Sequence, residues 1–401
     1  MKLRLLIFMC LLVSIVGACH KTAEPEPLPC AGLITLNGEL NVIWTKPANE
    51  LFAMRPAVFG NQVVIGKFTS PTTINLMGIG NISGLLLWSR LLPVNLGYAG
   101  YESAGNKIYY IDSLRTALVS FDVVNQQSDM VWHIPVGDNT RLSRDFAIHE
   151  NFAVCSTRPV SGIDSLPPSI HLIDLSSGAS RKVAPLLGSS ILEIEDMQAD
   201  VTPEGDTVIC FVRQEYAPVS GVFNRLSCWN ITTDEVHESD ISTASYSSGV
   251  GNLQVAGKYA WFLSNKMLRC YNVVTGATVW TASDPDFYHL SDILPDGKIF
   301  VGGNAVHALD AATGQIFWTT NLTGYGYMLD LQSSFIQQGQ LYLFKDNGSL
   351  VHFDSETGCL LGEHPFPTNY HDSFRYFQLS SDGNWLHLAG YKSYYTAQIP
   401  R

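Results

Sequence analysis

Two short segments of the sequence bring tyrosine, histidine and an acidic residue together in a similar order, as YHLSD and as YHDSF. A histidine beside a carboxylate can act as a general acid or base, which pairs His289 with Asp292 and His371 with Asp372. A tyrosine ring can instead stack on a sugar or an apolar side chain. The two segments therefore suit either acid–base catalysis or the binding of a carbohydrate or a peptide.

Polar and aromatic residues also precede several other strand-like segments. If those strands surround a common centre, the residues converge at one mouth, where they either bind a ligand or stabilise the start of each strand and fill the centre. Both interpretations remain open from the sequence. The candidate mouth residues are Tyr98, Tyr101, Arg141, Arg144, Tyr288, His289, Asp292, Tyr325, Tyr327, Tyr370, His371 and Asp372.

Recognised catalytic and metal-binding motifs are missing from the sequence. There is no GxSxG, HExxH or P-loop spacing, and no CxxC or Cys/His spacing that indicates zinc. The segment DVTPEGD at 200–206 is rich in oxygen ligands, but its spacing departs from that of an EF-hand loop, which favours a solvated turn. We therefore predict no catalytic residue, no metal and no cofactor, and a binding protein rather than an enzyme.

Composition and charge limit the class of partner. The 401 residues carry a formal net charge of -12, which repels phosphate backbones and argues against nucleic-acid binding. Only 15% of the residues are charged, and the chain contains 33 glycines and 17 tyrosines. This balance is typical of many short strands joined by tight turns.

The N-terminus is typical of an exported protein. Lys2 and Arg4 precede an apolar run from Leu5 to Val16, which has the length of a signal peptide rather than a membrane span. The run leads into VGAC, ending at Cys19, which resembles the bacterial lipobox. We predict a lipidated Cys19 that tethers the mature chain to a membrane; the alternative is ordinary secretion with cleavage after Ala18.

The residues after Cys19 predict a short tether and a location. Residues 20–31 are rich in proline and glutamate and read as an extended linker. His20 is not the aspartate that retains lipoproteins at the inner membrane, which favours the outer membrane. We expect a signal peptide at 1–18, a lipidated tether at 19–37 and a monomeric envelope protein, at the periplasmic face or the cell surface.

An internal repeat determines the predicted fold. One phrase recurs as AVHALDAATGQIFW (305–318), MLRCYNVVTGATVW (267–280) and SLVHFDSETGCLLG (349–362). In each copy an alternating strand is followed by Asp or Asn, which can bond the backbone two residues on, and by a glycine suited to a positive-φ turn position. Each phrase therefore encodes a hairpin, and a second hairpin-like element upstream gives four strands per unit.

The repeat positions predict the number of units. Successive copies are anchored at Gly80, Asp122, Asp174, Asn230, Asn272, Asp310 and Asp354. A further step reaches the extreme C-terminus, where the chain stops before an eighth unit can supply its outer strand. The segment GELNVIWTKP at 38–47 can supply it and leave no open edge. We predict an all-β fold, a single eight-bladed propeller over residues 38–401, with blades at 144–240 the least regular.

The units resemble the repeats of quinoprotein-type (PQQ-like) propellers, in which a tryptophan four residues after a turn glycine docks neighbouring blades. Trp88, Trp280 and Trp318 match this spacing, whereas Trp132 has Ser128 at the glycine position. The resemblance implies that these tryptophans pack between blades and do not stack on a cofactor. The set assigned to docking is Trp44, Trp88, Trp132, Trp280 and Trp318.

The same resemblance divides the possible functions. The quinoprotein enzymes carry a vicinal disulfide and a calcium ion beside the quinone, and this chain has no Cys-Cys pair. We therefore expect the non-enzymatic branch, similar to the propeller lipoprotein of outer-membrane assembly, acting as a protein-interaction scaffold. The alternatives are a surface protein that binds a glycan or peptide, and a degenerate quinoprotein oxidoreductase.

Cysteine pairing stays open. Beyond Cys10 and Cys19, the chain contains Cys30, Cys155, Cys210, Cys228, Cys270 and Cys359. Cys210 and Cys228 flank a hairpin-like loop and could face each other across two strands. They are either a disulfide, as an oxidising envelope allows, or two small apolar strand residues.

Overall fold

The computed structural model divides the chain into two compact units, residues 1–33 and 34–401, and every residue described below lies in the second. The described residues are 35–36, 39–47, 55–94, 101–136, 138–160, 168–183, 191–217, 221–242, 253–291, 297–322, 334–344, 349–367, 374–380, 383–390 and 393–399. Within them the structure contains only strands, turns and bends. None of these residues belongs to a helix long and apolar enough to cross a bilayer.

The first two strands of the chain, β1 (Thr35–Leu36) and β2 (Asn41–Pro47), join sheets formed by the C-terminal part. Blade 1 consists of β3 (Ala57–Phe59), β4 (Gln62–Ser70), β5 (Thr73–Gly80) and β6 (Leu86–Pro93). Blade 2 consists of β7 (Tyr101–Ala104), β8 (Lys107–Ile111), β9 (Ala117–Asp122) and β10 (Gln127–His133). Blade 3 consists of β11 (Thr140–His149), β12 (Phe152–Pro159), β13 (Ser169–Asp174) and β14 (Ser180–Val183).

The remaining blades follow the same order, with the first strand innermost. Blade 4 consists of β15 (Ile191–Val201), β16 (Thr207–Ala217), β17 (Gly221–Asn230) and β18 (Glu235–Ser242). Blade 5 consists of β19 (Leu253–Ala256), β20 (Tyr259–Ser264), β21 (Met267–Asn272) and β22 (Thr278–Ser283). Blade 6 consists of β23 (His289–Leu290), β24 (Lys298–Gly302), β25 (Ala305–Asp310) and β26 (Ile316–Asn321).

The last two blades contain the N-terminal strands. Blade 7 consists of β27 (Phe335–Gln337), β28 (Gln340–Phe344), β29 (Leu350–Asp354) and β30 (Leu360–His364), with β1 added in parallel to the outer edge of β30. Blade 8 consists of β31 (Phe374–Leu379), β32 (Trp385–Gly390), β33 (Ser393–Gln398) and the outermost strand β2. The prediction of an all-β, eight-bladed propeller closed by the N-terminal strand is confirmed.

The repeated Asp and Asn residues make the turns that the sequence predicts. One carboxylate oxygen of Asp310 accepts hydrogen bonds from the backbone N–H of Ala312, at 2.9 Å, and of Thr313, at 2.7 Å. The next residue, Gly314, has φ +72°, a conformation that glycine adopts without steric cost. Asp174 makes the same turn, and hydrogen bonds from Ser176 and Ser177 lower its pKa to about 2.

The hydrophobic core consists of clusters that lie between blades. Between blades 6 and 7, Phe300 and Trp318 pack against Leu341, Val351 and Phe353. Each blade presents alternate strand residues to its two neighbours, as expected for a sheet buried on both faces. The ring therefore depends on every neighbouring pair of blades sharing a core.

Blade 8 and blade 1 share such a core, which closes the ring. Ala389 and Tyr394 of blade 8 pack against Val63, Ile65 and Ile79 of blade 1. The Tyr394 hydroxyl donates a hydrogen bond of 2.6 Å to the Gly66 carbonyl. In blade 8 itself, the N-terminal strand β2 pairs antiparallel with the C-terminal strand β33. No blade-sized gap remains between the first and the last blade.

Three tryptophans make one recurring contact with the next blade. The indole N–H of Trp280 donates to the Ala311 carbonyl at 3.1 Å, and that of Trp318 donates to the Ser355 carbonyl at 3.1 Å. Each ring lies under the turn glycine of the neighbouring blade, where an added Cβ would approach Trp280 to 2.5 Å and Trp318 to 2.4 Å. Trp44 makes the same contact across the closing interface, with 2.8 Å to the Asn81 carbonyl.

The other two tryptophans make different contacts. Trp88 donates to the Gln62 side chain of its own blade at 2.8 Å, because Gln126, at φ +56°, stands where the next blade would need a glycine. Gln126 and not Ser128 takes that turn position, since the hairpin of blade 2 is two residues longer before its tryptophan. Trp132 packs 4.8 Å from the His171 ring of blade 3.

Blade 4 has a histidine in the place of the tryptophan. The Nε2 atom of His237 lies 2.7 Å from the Val274 carbonyl of blade 5, and an added Cβ at Gly276 would meet the His237 ring. A buried ion pair stabilises the same blade, because Glu238 contacts both Arg213, at 2.8 Å, and Arg225, at 3.2 Å. The irregular blade therefore keeps the docking geometry with different residue types.

The cysteines are distributed between thiols and one disulfide. Cys210 and Cys228 face each other across two strands with their Sγ atoms 2.8 Å apart, and both are thiols in the structure, as are Cys155 and Cys270. Burial raises the pKa of the Cys210 thiol well above its usual value, which slows thiol–disulfide exchange. Cys359 is disulfide-bonded.

We predict that the glycine–tryptophan contact stabilises the ring more than the turn conformation alone. Gly358 and Gly339 lie in the same blade at φ +72° and +75°, but only Gly358 faces a tryptophan, and Gly339 faces open space. Gly339→Ala should reduce the free energy of unfolding by about 1 kcal/mol, and Gly358→Ala by about 3 kcal/mol because it adds overpacking. Urea denaturation measures both, and equal losses would contradict the assigned contact.

Stability should fall with acidity because of a buried histidine. Burial lowers the pKa of His171 from 6.5 to about 4. Between these two pH values His171 is therefore mostly protonated in the unfolded chain and mostly neutral in the folded chain. The His171 contribution is complete above pH 6.5 and is lost as the pH falls toward 4, by about 2 kcal/mol at pH 5. His171→Gln should reduce the loss of unfolding free energy between pH 7.5 and 5 by that amount, whereas exposed His133→Gln should not.

Candidate functional site

At one end of the ring, each blade contributes two segments: the segment before its innermost strand and the turn between its second and third strands. The segment before each innermost strand lies beside the turn between the second and third strands of the preceding blade. The backbone N–H of Leu142, on β11, donates to the Arg115 carbonyl of the blade 2 turn at 2.8 Å. The Lys266 ammonium of a blade 5 turn lies 4.8 Å from the centroid of the Tyr288 ring. This end is the mouth at which we expected residues distant in sequence to meet.

The structure describes part of the predicted mouth. The side chains of Tyr101, Arg141 and Tyr288 are described, and Arg144 and His289 are placed only as backbone within β11 and β23. The remaining predicted positions lie outside the described residues, and these are Tyr98, Asp292, Tyr325, Tyr327, Tyr370, His371 and Asp372. The site below is therefore built from blades 1, 2, 3, 5 and 6.

Blades 1 and 2 meet at the mouth through Arg55 and Tyr101. The Tyr101 hydroxyl donates a hydrogen bond to the Arg55 carbonyl. The neighbouring Glu102 contacts solvent, yet burial by surrounding protein raises its pKa, an effect that the positive charge of Arg55 partly opposes. Solvent contact together with desolvation is typical of a residue on the wall of a narrow channel.

Blade 3 contributes two arginines that face each other. Arg141 on β11 and Arg158 on β12 are directly opposite in the register, at the open end of the hairpin. Like charges directly opposite on neighbouring strands destabilise a sheet. Arg115 stands in the adjacent turn of blade 2 and is buried. Three guanidinium groups are thus assigned to one sector of the mouth in a chain of net charge -12.

A similar pair in blade 4 shows how the protein neutralises such charges elsewhere. Arg213 and Arg225 are also directly opposite each other, but Glu238 lies between them and contacts both. At Arg141 the Nε atom is buried and makes no hydrogen bond within the described part of the chain. The Arg141 Nε–H group therefore retains capacity to donate a hydrogen bond to an anionic group, for which the guanidinium fork is suited.

Tyr288 is the most exposed described aromatic side chain of the mouth, with 48% of its surface accessible. Its ring lies against Gly303, where a Cβ atom would approach ring atom Cδ2 to 2.4 Å. Glycine at 303 thus leaves room for the edge of the ring, and the Lys266 ammonium makes a cation–π contact with the ring. The exposed part of the ring can contact an apolar or sugar surface.

Several mouth residues were missed by the sequence analysis. Arg55, Arg115, Arg158 and Lys266 all contribute to this end of the ring, and all but Arg55 lie in or beside a turn between second and third strands. The repeat itself contains the signal, because those turns occur once per unit on the same side as the leading segments. The leading segments alone do not contain these residues.

The described ranges contain no group of three or more His, Cys, Asp or Glu side chains placed to hold a metal ion. The acidic segment at 200–206 forms a turn in which Asp200 accepts a hydrogen bond of 2.7 Å from the Gly257 backbone N–H. The Asn230 amide donates to Asp206 at 3.0 Å. Asp200 thus joins blade 4 to blade 5, and Asp206 stabilises a turn within blade 4.

Comparison with known proteins identifies one family profile. Residues 264–361 match the family described as "Outer membrane protein assembly factor BamB". These residues cover parts of blades 5, 6 and 7, where the glycine and tryptophan repeat is most regular. No curated protein sequence matches the chain.

Solved structures of three other proteins share the fold at low sequence identity. BamB from Moraxella catarrhalis is 12% identical with a TM-score of 0.52, over 89% of this chain and 100% of its own. Sqt1 from Saccharomyces cerevisiae is 11% identical with a TM-score of 0.60, over 90% and 100%. A europium-containing methanol dehydrogenase is 10% identical with a TM-score of 0.58, over 89% and 88%.

These neighbours include an outer-membrane assembly factor and a dehydrogenase, so the shared fold does not by itself assign an activity. The predicted resemblance to PQQ-like repeats is confirmed by the family match and by the propeller neighbours. This chain is an eight-bladed β-propeller, and its residues 264–361 are similar to the family described as outer membrane protein assembly factor BamB.

Proposed function

We propose that this protein is a lipid-anchored propeller of the bacterial cell envelope that binds a partner protein through its mouth. The observation that carries the proposal is the sector of three arginines on blades 2 and 3. Arg141 and Arg158 oppose each other at its centre, and Arg115 flanks them. The partner segment is acidic, because a carboxylate can accept the N–H groups of the Arg141 guanidinium, whose Nε atom makes no hydrogen bond within the described residues.

The residue types around this sector are those of protein-binding surfaces. Tyrosine and arginine are enriched where binding energy concentrates, and lysine and glutamate are depleted. Tyr288 presents its exposed ring at the same mouth. The carboxylate of Glu102, which is exposed beside Tyr101, helps to orient the segment, because its negative charge repels an acidic chain toward the arginines.

The envelope location rests on the N-terminus and on the family match. The VGAC segment resembles a lipobox, with Cys19 as the lipidated residue, and His20 favours the outer membrane. The profile that matches residues 264–361 is described as an outer-membrane assembly factor. A role as a monomeric scaffold in outer-membrane biogenesis is therefore the specific form of the proposal, with no cofactor and no enzymatic activity.

A glycan is the second candidate ligand, and Tyr288 favours it. An exposed tyrosine ring beside polar groups can stack on a sugar face. A neutral sugar, however, has no charge that would pair with the opposed arginines, whereas a sugar with acidic groups has one. Binding assays with neutral and acidic glycans, alongside acidic peptides, distinguish the two candidates.

Charge reversal at the mouth should abolish partner binding. The variant Arg141→Glu with Arg158→Glu should reduce recovery of a stoichiometric partner at least about 10-fold, because close charge pairs across an interface contribute strongly to affinity. Affinity purification from detergent-solubilised membranes, after cross-linking in the cell, measures the recovery.

The matched control changes two positive charges on the exposed outer strand of the same blade, as Arg181→Glu with Lys182→Glu. It should leave partner recovery unchanged, and thermal unfolding should show that both variants are folded. Full recovery of the partner with the mouth variant, or an equal loss of recovery with the control variant, would show that the mouth does not bind the partner.

A further inference from the structure

The outermost strand of blade 1 carries a row of exposed leucines. Leu85, Leu86, Leu87 and Leu91, called here the leucine edge, are each between 54% and 66% exposed. They lie on β6 and the residue before it, and Ile82 in the preceding turn is 57% exposed. Single exposed apolar residues are ordinary, but a contiguous apolar patch marks a contact surface.

The fold does not require leucine at these positions. Trp88 and Leu92 point toward blade 2 and supply the packing of this strand. At the four equivalent positions, counted from the tryptophan, blade 5 has Ala277, Thr278, Val279 and Ser283, and blade 6 has Gln315, Ile316, Phe317 and Asn321. Small or polar residues thus suffice at several of these positions.

The charge of blade 1 also differs from that of the rest of the chain. Residues 51–101 contain no aspartate or glutamate, although the chain contains 36 acidic residues. The charged residues of this segment are Arg55, Lys67 and Arg90, and Arg90 stands on β6 among the leucines, exposed. An apolar edge with only positive charge complements a phospholipid surface, where acyl chains lie beneath phosphates.

The position of the N-terminal strands brings this edge near the proposed lipid anchor. β1 and β2 are the outermost strands of blades 7 and 8, so the chain enters the propeller at its rim. Trp44 on β2 contacts blade 1 at Asn81 and Gly84, directly before the leucine edge. The segment from Cys19 to Thr35 spans at most about 55 Å when fully extended, so a lipid on Cys19 keeps the rim close to the bilayer.

We propose that the leucine edge docks on the phospholipid bilayer, so that the rim of blade 1 contacts the membrane. The inference rests on the lipid anchor of the proposed function, which makes the edge a second membrane contact. On the bilayer the leucine edge adds buried apolar area to the contact made by the lipid on Cys19, which strengthens membrane binding. With the rim on the bilayer, the ring axis lies along the membrane plane and the mouth opens sideways to a partner.

The depth of the leucine edge in the membrane tests the proposal. The full-length lipidated protein carries a fluorophore on Leu87→Cys or, as the control, on Phe317→Cys, the residue before the tryptophan in blade 6. Both are reconstituted into vesicles of phosphatidylethanolamine and phosphatidylglycerol that contain acyl-chain quencher, with the unsubstituted chain as labelling background. Quenching at residue 87 should exceed that at residue 317 at least about 3-fold, and equal quenching would overturn the proposal.

A second experiment separates docking from lipidation. Intact mass spectrometry shows whether Cys19 is acylated. A mass without acyl chains would contradict the lipid anchor but not the docking of the leucine edge. Binding of unacylated protein to the same vesicles is then measured by flotation. The test variant has asparagine at the four leucine-edge positions. The control variant has asparagine at four other rim residues, which are 37% to 45% exposed: Val279, Ile316, Phe317 and Leu361. The leucine-edge variant should bind at least about 10-fold more weakly and the control normally.

Two outcomes of the flotation would contradict docking on lipid. Equal binding of the two variants would show that the leucines contribute nothing specific. Unchanged vesicle binding with loss of a co-purifying protein would assign the edge to a protein strand that extends the blade 1 sheet. Circular dichroism and thermal unfolding of each variant establish that the ring is intact.

Discussion

The contact between neighbouring blades is the interaction on which the rest of the structure depends. A single four-stranded sheet cannot bury both of its faces alone, so each blade is stable only between two others. The clusters between blades bury the large side chains, and an indole or imidazole N–H bonded to the next turn holds many of the blades at a fixed angle. Closing the ring with β2 extends the same contact to the final interface, through Trp44 and Gly84.

Closure also determines where the functional surfaces lie. Because the blades are held radially, the leading segment of one blade and a turn of its neighbour always meet at the same mouth. That geometry assembles Arg115 with Arg141, and Lys266 with Tyr288, from segments far apart in sequence. The rim is a different kind of surface, because the outermost strands pair with another strand of the blade on one side only, except where β1 covers β30. The mouth proposed to bind a partner protein and the leucine edge proposed to contact lipid therefore belong to different surfaces of the ring.

The fold could be predicted well from the sequence, because the turn and the docking residue of each blade are encoded by residues close together in the chain. Asp310 and Gly314 encode a turn within five residues, and Trp318 follows at fixed spacing, so a single phrase reveals a blade. The substitution of His237 for tryptophan was not predictable, because its docking role depends on Gly276 in the next blade. The strand β1 was assigned to the tether, since two residues added to an edge leave no periodic pattern. Of the arginine sector only Arg141 was predicted, because the turns that contribute Arg115 and Arg158 vary in length and sequence.

A cross-link between the two ends of the chain tests the closed ring most directly. Asn41 and Gln398 lie opposite each other on β2 and β33, with the Asn41 amide 3.3 Å from the Gln398 side-chain oxygen. Cysteines at both positions should form an intramolecular disulfide under mild oxidation, which peptide mapping detects as one peptide linking the N-terminal and C-terminal strands. Free thiols, or disulfides only between molecules, would show that the N-terminal strand does not complete the last blade.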